Sequence, residues 1–470
     1  QQLLDQLSFE EVFDGGLTIY TTIDPTLQGY AEEAAAEVYD DMARTGDSDV
    51  SLSMTCIDPN TGYVLAMIGG KDWSDSQFNL YTSQVNLATG LGGSGRQAGS
   101  SFKAFTLAAA IEQGISPKTV IDCSTGFVNA AWSKPVTNYA GANYGYLSIE
   151  RMTWVSANTG FARLVTDPDG VTPQSLLDMA ARLGVAGDTK YGYGAYPALT
   201  LGAAQTNTLR MASAYGAFAT GGIRHADTCI TQVIAQDGTT LIDNTEVPGE
   251  QVLSPEVAGE VTRVLQGVVT QGTGRGSALP SGQVSAGKTG TSQEHRDLWF
   301  CGYTPQLSCA VWTGAAQERE MWEAPWCKDA WRIFMSLALD GRERVDFPTA
   351  AEPNYDSAFN KKQSVYSEDA AKDTIARLSG ASLAEVQAAL GSNLTIVETY
   401  SSTVAAGSIV KIEFANGTYT AYVSIGPDPN AGGEGDGADS GEEPPGGGEG
   451  PTEPPDDGGQ PGGEGGELAP

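Results

Sequence analysis

Strand-patterned segments at two distant places frame a middle patterned as helices. That arrangement restricts the chain to folds whose sheet is closed by segments far apart in sequence. Near the N-terminus, "GGLTIYTTID" alternates over Leu17 to Ile23 and reads as a strand. Asp24 then caps a helix that has Pro25 at its first position, where a missing N–H costs nothing. "SLSMTCIDPNTGYVLAMIGG" (51–70) reads as two strands around the hairpin signal "DPNTG". From about residue 100 to 220 the pattern is mostly helical. Alternation returns in "QVSAGKTGTS" and "DLWFCGYTPQLSCAVWTG", and the amphipathic "KDAWRIFMSLALDG" follows. The expectation is a mixed α+β domain with an antiparallel sheet flanked by a helical region.

The rest of the chain is organised differently. Residues 346–372 read as a linker. "SLAEVQAAL" has Ser382 and Glu385 in capping-box spacing, and the alternating runs "SIVKIEF" and "TYTAYVSIG" are joined by the turn signal "ANG". A small helix-plus-strands unit is expected over 373–426. From 427 to 470 the chain has 12 acidic residues, no Lys or Arg, and 24 Gly or Pro in 44 positions. Such a composition has too little apolar surface to order itself, and disorder is expected.

The formal net charge of −32 argues against nucleic acid as a partner, because a phosphate backbone selects a basic surface. No apolar run approaches the ~18–20 residues of a membrane helix, and no signal peptide is visible. The sequence begins at Gln1, so the expectation is a processed or partial chain whose anchor lies outside it. Six cysteines without a C-x-x-C pair argue against structural zinc. Cys301 and Cys309 flank "GYTPQLS", whose Pro305 could centre a hairpin. Two readings stand: a disulfide across that hairpin, or buried free thiols.

Ser-x-x-Lys occurs three times, at Ser100–Lys103, Ser285–Lys288 and Ser408–Lys411. The last two lie in strand-like runs, where residues three apart point to opposite faces. Only "RQAGSSFKAFTLAAAIEQG" opens a helix, with Phe102, Phe105 and Ala109 on one stripe and Gly114 as a stop. There Ser100 Oγ and Lys103 Nζ can meet, one turn apart, beside a helix N-terminus whose N–H groups favour an anion. A lysine serves as base only when burial or a nearby cation lowers its pKa. "VSANTG" adds Ser156 and Asn158, and "AGKTGTS" adds Lys288, Thr289, Gly290 and Thr291. Gly290 is expected to let a substrate backbone approach an exposed strand closely. Ser-x-x-Lys, Ser-x-Asn and Lys-Thr-Gly in this order are the set found in penicillin-recognising serine enzymes.

On these motifs the chain resembles the transpeptidase part of class A penicillin-binding proteins. "GGLTIYTTIDPTLQ", "IDPNTGYVLAMIGG", "SQFN", "AYGAFATGGI", "LQGVVTQGTG" and "AGKTGTSQEHRDLWFCGYTPQLSCAVW" carry the resemblance over roughly residues 15 to 345. "GASLAEVQAAL", "TYSSTVAAGSIVKI" and "YVSIGPDP" resemble a PASTA module. Ala98 and Ala104 stand where the family usually has proline, and neither change removes a reactive group. Ala157 in the middle motif fits penicillin-binding proteins better than class A β-lactamases. Class A members usually carry an upstream membrane helix and a glycosyltransferase domain, neither of which occurs in these residues.

The resemblance implies a β-lactamase/transpeptidase-like fold over 51–345, preceded by a strand–helix segment (1–50). It implies a D,D-transpeptidase that cross-links peptidoglycan stem peptides on the extracytoplasmic side and is acylated by β-lactams. Ser100 would attack the penultimate D-Ala carbonyl, Lys103 act as base, and Ser156 relay a proton. Lys288 would keep Lys103 neutral and attract the substrate carboxylate. Thr289 and Thr291 would bind that carboxylate and Asn158 the substrate amide. The backbone N–H groups of Ser100 and Thr291 would form the oxyanion hole. No metal or organic cofactor is implied. His225 and His295 lack metal-ligand spacing, and Asn138 and Tyr139 read equally as cleft lining or structural loop. The alternatives are a D,D-carboxypeptidase, a β-lactam-hydrolysing or sensing enzyme on the same scaffold, and a non-catalytic wall-binding protein.

Overall fold

The computed structural model describes residues 2–71, 86–91, 95–187, 191–315, 319–322, 324–363, 368–390, 394–415 and 418–428. The "SQFN" segment, the "ANG" turn and nearly all of the acidic tail lie outside these residues.

Five antiparallel strands form the central sheet: β1 (Val50–Asp58), β2 (Tyr63–Ile68), β3 (Ala286–Thr291), β4 (Asp297–Tyr303) and β5 (Ser308–Ala315). Their order is β3-β4-β5-β1-β2, so the early hairpin joins the late strands through the β5–β1 pair and everything between is inserted. The expected closure by distant segments is what forms.

Both faces of the sheet are covered, which is why β1 is buried almost without interruption instead of alternating. On one face lie α1 (Pro25–Thr45) and α7 (Trp326–Ala338), joined to Leu52, Met54 and Cys56 in one core. Asp24 caps α1 by accepting from the N–H groups of Thr26 and Leu27, as its sequence requires. On the other face lies the helical part: α2 (Lys103–Glu112), α3 (Ile149–Trp154), α4 (Asn158–Thr166), α5 (Thr208–Ala219) and α6 (Pro255–Thr270). Ser53 and Thr55, which point to this side, bond the Thr208 hydroxyl at 3.1 and 2.8 Å, so the polar positions of β1 are matched.

The helix α2 is buried all round, from Lys103 to Ile111, and not along a single stripe. Apart from Lys103, its buried residues are small or apolar on every side, and such a helix belongs in a core centre. Phe102 and Phe105 meet edge to face at 4.9 Å, and Phe105 continues to Tyr215 at 5.8 Å. These contacts fix the rotation of α2 and with it the direction of the residues at its start.

The segment 346–363 lies against this domain. Phe347 and Tyr355 pack on the main core, and Phe359 is buried in it. Farther on, helices Glu368–Arg377 and Leu383–Leu390 precede a three-stranded sheet of Leu394–Thr399, Ile409–Ala415 and Thr418–Ser424. Ser382 and Glu385 form the reciprocal capping box before the second helix. No helix among the described residues is long and apolar enough to cross a membrane.

The cysteines follow the buried-thiol reading. A tight turn over Thr304–Leu307 sets Cys301 opposite Ala310 and Cys309 opposite Gly302. That register sends the two side chains to opposite faces, Cys301 to the α2 side and Cys309 to the α1 side. Cys309 instead lies opposite Cys56 on β1, and all six thiols are free. Thiol titration of the denatured, unreduced chain is therefore expected to return six free thiols; a lower count would contradict the free-thiol state.

Candidate active site

The nucleophile candidate sits on one turn of 3-10 helix, Gly99–Phe102, that runs directly into α2. In a 3-10 turn residues three apart eclipse, so Ser100 and Lys103 share one side. Ser100 lines a cleft of about 940 Å³. Its neighbour Ser101 is fully buried, and its hydroxyl donates to the Ala98 carbonyl at 2.7 Å. Spacing and burial thus select the same serine.

This turn is pressed against the free edge of the sheet through glycines. Gly99 has φ +54°, and a Cβ there would strike the Thr291 carbonyl. A Cβ on Gly290 would lie 3.0 Å from the Ser101 nitrogen and 2.9 Å from Trp299 Cβ. The close approach that Gly290 permits is therefore to the protein's own turn, a different use from the one expected. Ser292 N–H donates to the Asp297 carbonyl at 3.0 Å, making that pair hydrogen-bonded. By antiparallel alternation Gly290 and Lys288 face β4 with their backbone groups, while those of Thr289 and Thr291 point off the edge. The N–H of Thr291 is in this way directed toward the side where Ser100 stands.

Ser156 follows α3 with φ +59°, a left-handed conformation that glycine usually occupies and that costs another residue about 1–2 kcal/mol. The reversal lets α4 begin at Asn158, and three contacts hold it. Lys103 Nζ lies 2.7 Å from the Ser156 carbonyl, 2.7 Å from Asn158 Oδ1 and 3.3 Å from Ser156 Oγ. Lys288 Nζ donates to Ser156 Oγ at 2.9 Å and to the Thr289 carbonyl at 3.1 Å. Asn158 Nδ2 donates to the Thr137 carbonyl, and the buried Asn138 accepts from the Thr159 N–H and hydroxyl while donating to Cys123 and Ala142 carbonyls. Asn138 lines the cleft and also fixes its loop, so both readings of it apply.

Both lysines are fully buried. Burial, and then the charge of Lys288, holds the Lys103 pKa well below the usual lysine value. Burial brings Lys288 down to about 7. A neutral Lys103 amine has two hydrogens, which match the two 2.7 Å acceptors, and one lone pair left for a hydroxyl. Ser156 Oγ can fill it while accepting from a protonated Lys288. The expected contact between Ser100 Oγ and Lys103 Nζ is not formed: the amine is drawn to Ser156 and Asn158, and Ser100 makes no side-chain hydrogen bond among the described residues.

Thr289, Gly290 and Thr291 line the same cleft as Ser100, Ser156 and Asn158. His295, at φ +50°, meets the Tyr139 ring at 5.5 Å, and both line the cleft. His225 bonds the Val247 carbonyl and is a structural residue of a separate two-stranded sheet. Asp297 is occupied by Ser292 and by the Trp312 indole, consistent with a packing role. The motifs passed over Thr273, whose hydroxyl lies 2.6 Å from that of Thr289. Its only sequence signal was its place between two glycines in "LQGVVTQGTG".

The family model described as penicillin binding protein transpeptidase domain matches residues 52–317. The chain belongs to this family. Over 380 residues it is 32% identical to penicillin-binding protein 1A of Mycobacterium tuberculosis, covering 75% of this chain and 44% of the relative. Penicillin-binding protein 1A of Mycolicibacterium smegmatis is 33% identical over 378 residues, with 75% and 45% covered. The chain thus spans under half the length of these penicillin-binding proteins. The solved structure of the PonA1 protein from Mycobacterium tuberculosis in complex with penicillin V aligns with a TM-score of 0.64 at 31% identity, covering 76% of this chain and 95% of that one. The D,D-transpeptidase domain of a peptidoglycan glycosyltransferase from Eggerthella lenta has the same fold, with a TM-score of 0.57 at 24% identity over 70% and 84% of the two chains.

The buried lysines of this penicillin-binding domain also set a pH dependence of stability. Between its folded pKa of about 7 and the unfolded lysine value of about 10.4, Lys288 binds more protons in the unfolded state. Stability linked to this group therefore rises with pH across that window. Thermal midpoints measured at about pH 7.5 and about pH 9.5 should rise more for the wild type than for Lys288→Met. Equal slopes would place the Lys288 pKa elsewhere.

Proposed function

We propose that the chain is a serine D,D-transpeptidase that forms peptidoglycan cross-links and is acylated by β-lactams. The observation that carries this reading is the Ser156 hydroxyl set between two buried lysine amines, beside a cleft-facing Ser100. A hydroxyl so placed is a proton relay, and a lysine kept neutral is a base.

Ser100 Oγ attacks the penultimate D-Ala carbonyl of a donor stem peptide. Its proton passes to the Lys103 lone pair, which Ser156 releases as the substrate enters. The developing oxyanion is met by the N–H groups of Ser100 and Thr291, each such donor contributing ~2.7–4 kcal/mol in other enzymes. Ser156, recharged by Lys288, protonates the departing D-Ala amine. The amine of a neighbouring stem peptide then attacks the acyl carbon and gives up a proton through Ser156 to Lys288, while the ester bond breaks and Lys103 returns its proton to Ser100 Oγ. Asn158 offers its amide to the substrate backbone, and Thr289 and Thr291 their hydroxyls to its carboxylate. Burial first, and then the charge of Lys288, holds Lys103 neutral. Such substrates put the domain on the extracytoplasmic side of the cell membrane, with the C-terminal helix-and-strand unit acting as a PASTA-like module.

Fluorescent penicillin is expected to label the wild type covalently, and Ser100→Ala to abolish labelling without loss of fold. Lys103→Met should slow acylation by ~10²–10⁴, the range for loss of a general base. Unchanged labelling of Ser100→Ala would overturn the assignment. Cross-linked product formed with an amine acceptor supports transpeptidation, whereas release of D-Ala alone would make the chain a carboxypeptidase.

A further inference from the structure

A donor peptide and a penicillin both end in a carboxylate, and the cleft has to meet that charge. Lys288 is poorly placed to do so. It is fully buried, is absent from the cleft lining, and directs its amine to Ser156 Oγ and the Thr289 carbonyl. Thr289 and Thr291 offer hydroxyls without charge.

Thr273 and Lys328 line the cleft beside Thr289. Thr273 is held from three directions. Its N–H donates to the Trp154 carbonyl at 2.9 Å, its hydroxyl lies 2.6 Å from Thr289 Oγ1, and its carbonyl accepts from Lys328 Nζ at 3.4 Å. Gly272 packs its backbone on the Trp154 carbonyl and Gly267 on the Trp154 indole, leaving no room for a Cβ at either. The indole N–H donates to the Val264 carbonyl at 2.9 Å. Thr273 is thus rigidly referenced to the end of α3, two residues before Ser156, and to the strand that carries Thr289.

The two hydroxyls hold two hydrogens, and their mutual bond uses one. Whichever donates, a single O–H remains for an acceptor in the cleft. Lys328 uses one N–H on Thr273, through a long and exposed contact, and keeps the others for an anion.

We propose that Thr273 and Lys328 complete the carboxylate-recognition site, Thr273 as the positioning residue that orients the Thr289 hydroxyl and Lys328 as the counter-charge. This assignment rests on Ser100 being the acylated serine.

The test measures acylation of the full chain by benzylpenicillin and by its neutral methyl ester. Lys328→Gln should lower the second-order rate constant for the carboxylate about tenfold, the scale of one charge-assisted contact, and leave the ester unchanged. The salt dependence of the wild-type rate should shrink with it. Thr273→Val should weaken saturation by the carboxylate with little change in the limiting rate, and Thr273→Ser should restore it. Equal losses for both compounds would reduce Thr273 to a packing residue, and no loss in either variant would overturn the proposal while leaving the transpeptidase reading intact. A wild-type chain that neither compound acylates would overturn both.

Discussion

A lysine amine sealed inside the domain, with only neutral oxygens within reach, is the constraint around which the helical part is arranged. Removing Lys103 from water is costly unless the amine is neutral and its hydrogens have acceptors. Burial and the neighbouring Lys288 meet the first condition, and Ser156 and Asn158 meet the second. To deliver a carbonyl and an amide oxygen to one point, the chain must leave α3 through a left-handed serine and begin α4 at the asparagine. Asn138 then holds the adjacent loop against the start of α4. The all-round burial of α2 is the other half of the same requirement, since it removes water from the amine.

A second constraint is the backbone seam between the nucleophile turn and strand β3. Gly99, Gly202 and Gly290 have no room for a Cβ there, and the Trp299 indole donates to the Gln97 carbonyl across the same junction. Ala98 stands where relatives are expected to carry proline, and its N–H bonds the Ala204 carbonyl at 3.4 Å, a contact proline could not make. The turn is thus fastened to the sheet on one side and to the loop before α5 on the other.

Much of this was legible in the residues. The hairpins, the Asp24 cap, the Ser382 box and the grouping of three motifs are local signals, and local signals survive folding. What was not legible depends on partners distant in sequence. The direction of the Lys103 amine is decided by Ser156 and Asn158, not by the helix that carries it. The helix itself is covered on faces that an apolar stripe could not announce, because the cover comes from α6, from the helix Pro173–Arg182 and from Tyr215 and Phe218 of α5. The failure of Cys301 to meet Cys309 is set by a one-residue register in the turn between them. Gly290 was noticed for the right physical property, and its Cβ direction is filled by the protein's own turn, which lies far away in sequence. Thr273 carried no chemical motif at all, and only its contact with Thr289 reveals it.

The β5–β1 pairing has a consequence for how such a protein comes into being. Ser308 to Ala315 must find Val50 to Ile57 across the whole inserted middle, a search that is slow for chains with distant contacts. A nascent chain that has emerged only as far as α6 already contains Ser100, Lys103 and Ser156 but lacks the edge strand they face. Catalytic competence therefore arrives late and all at once, with the last strands of the sheet.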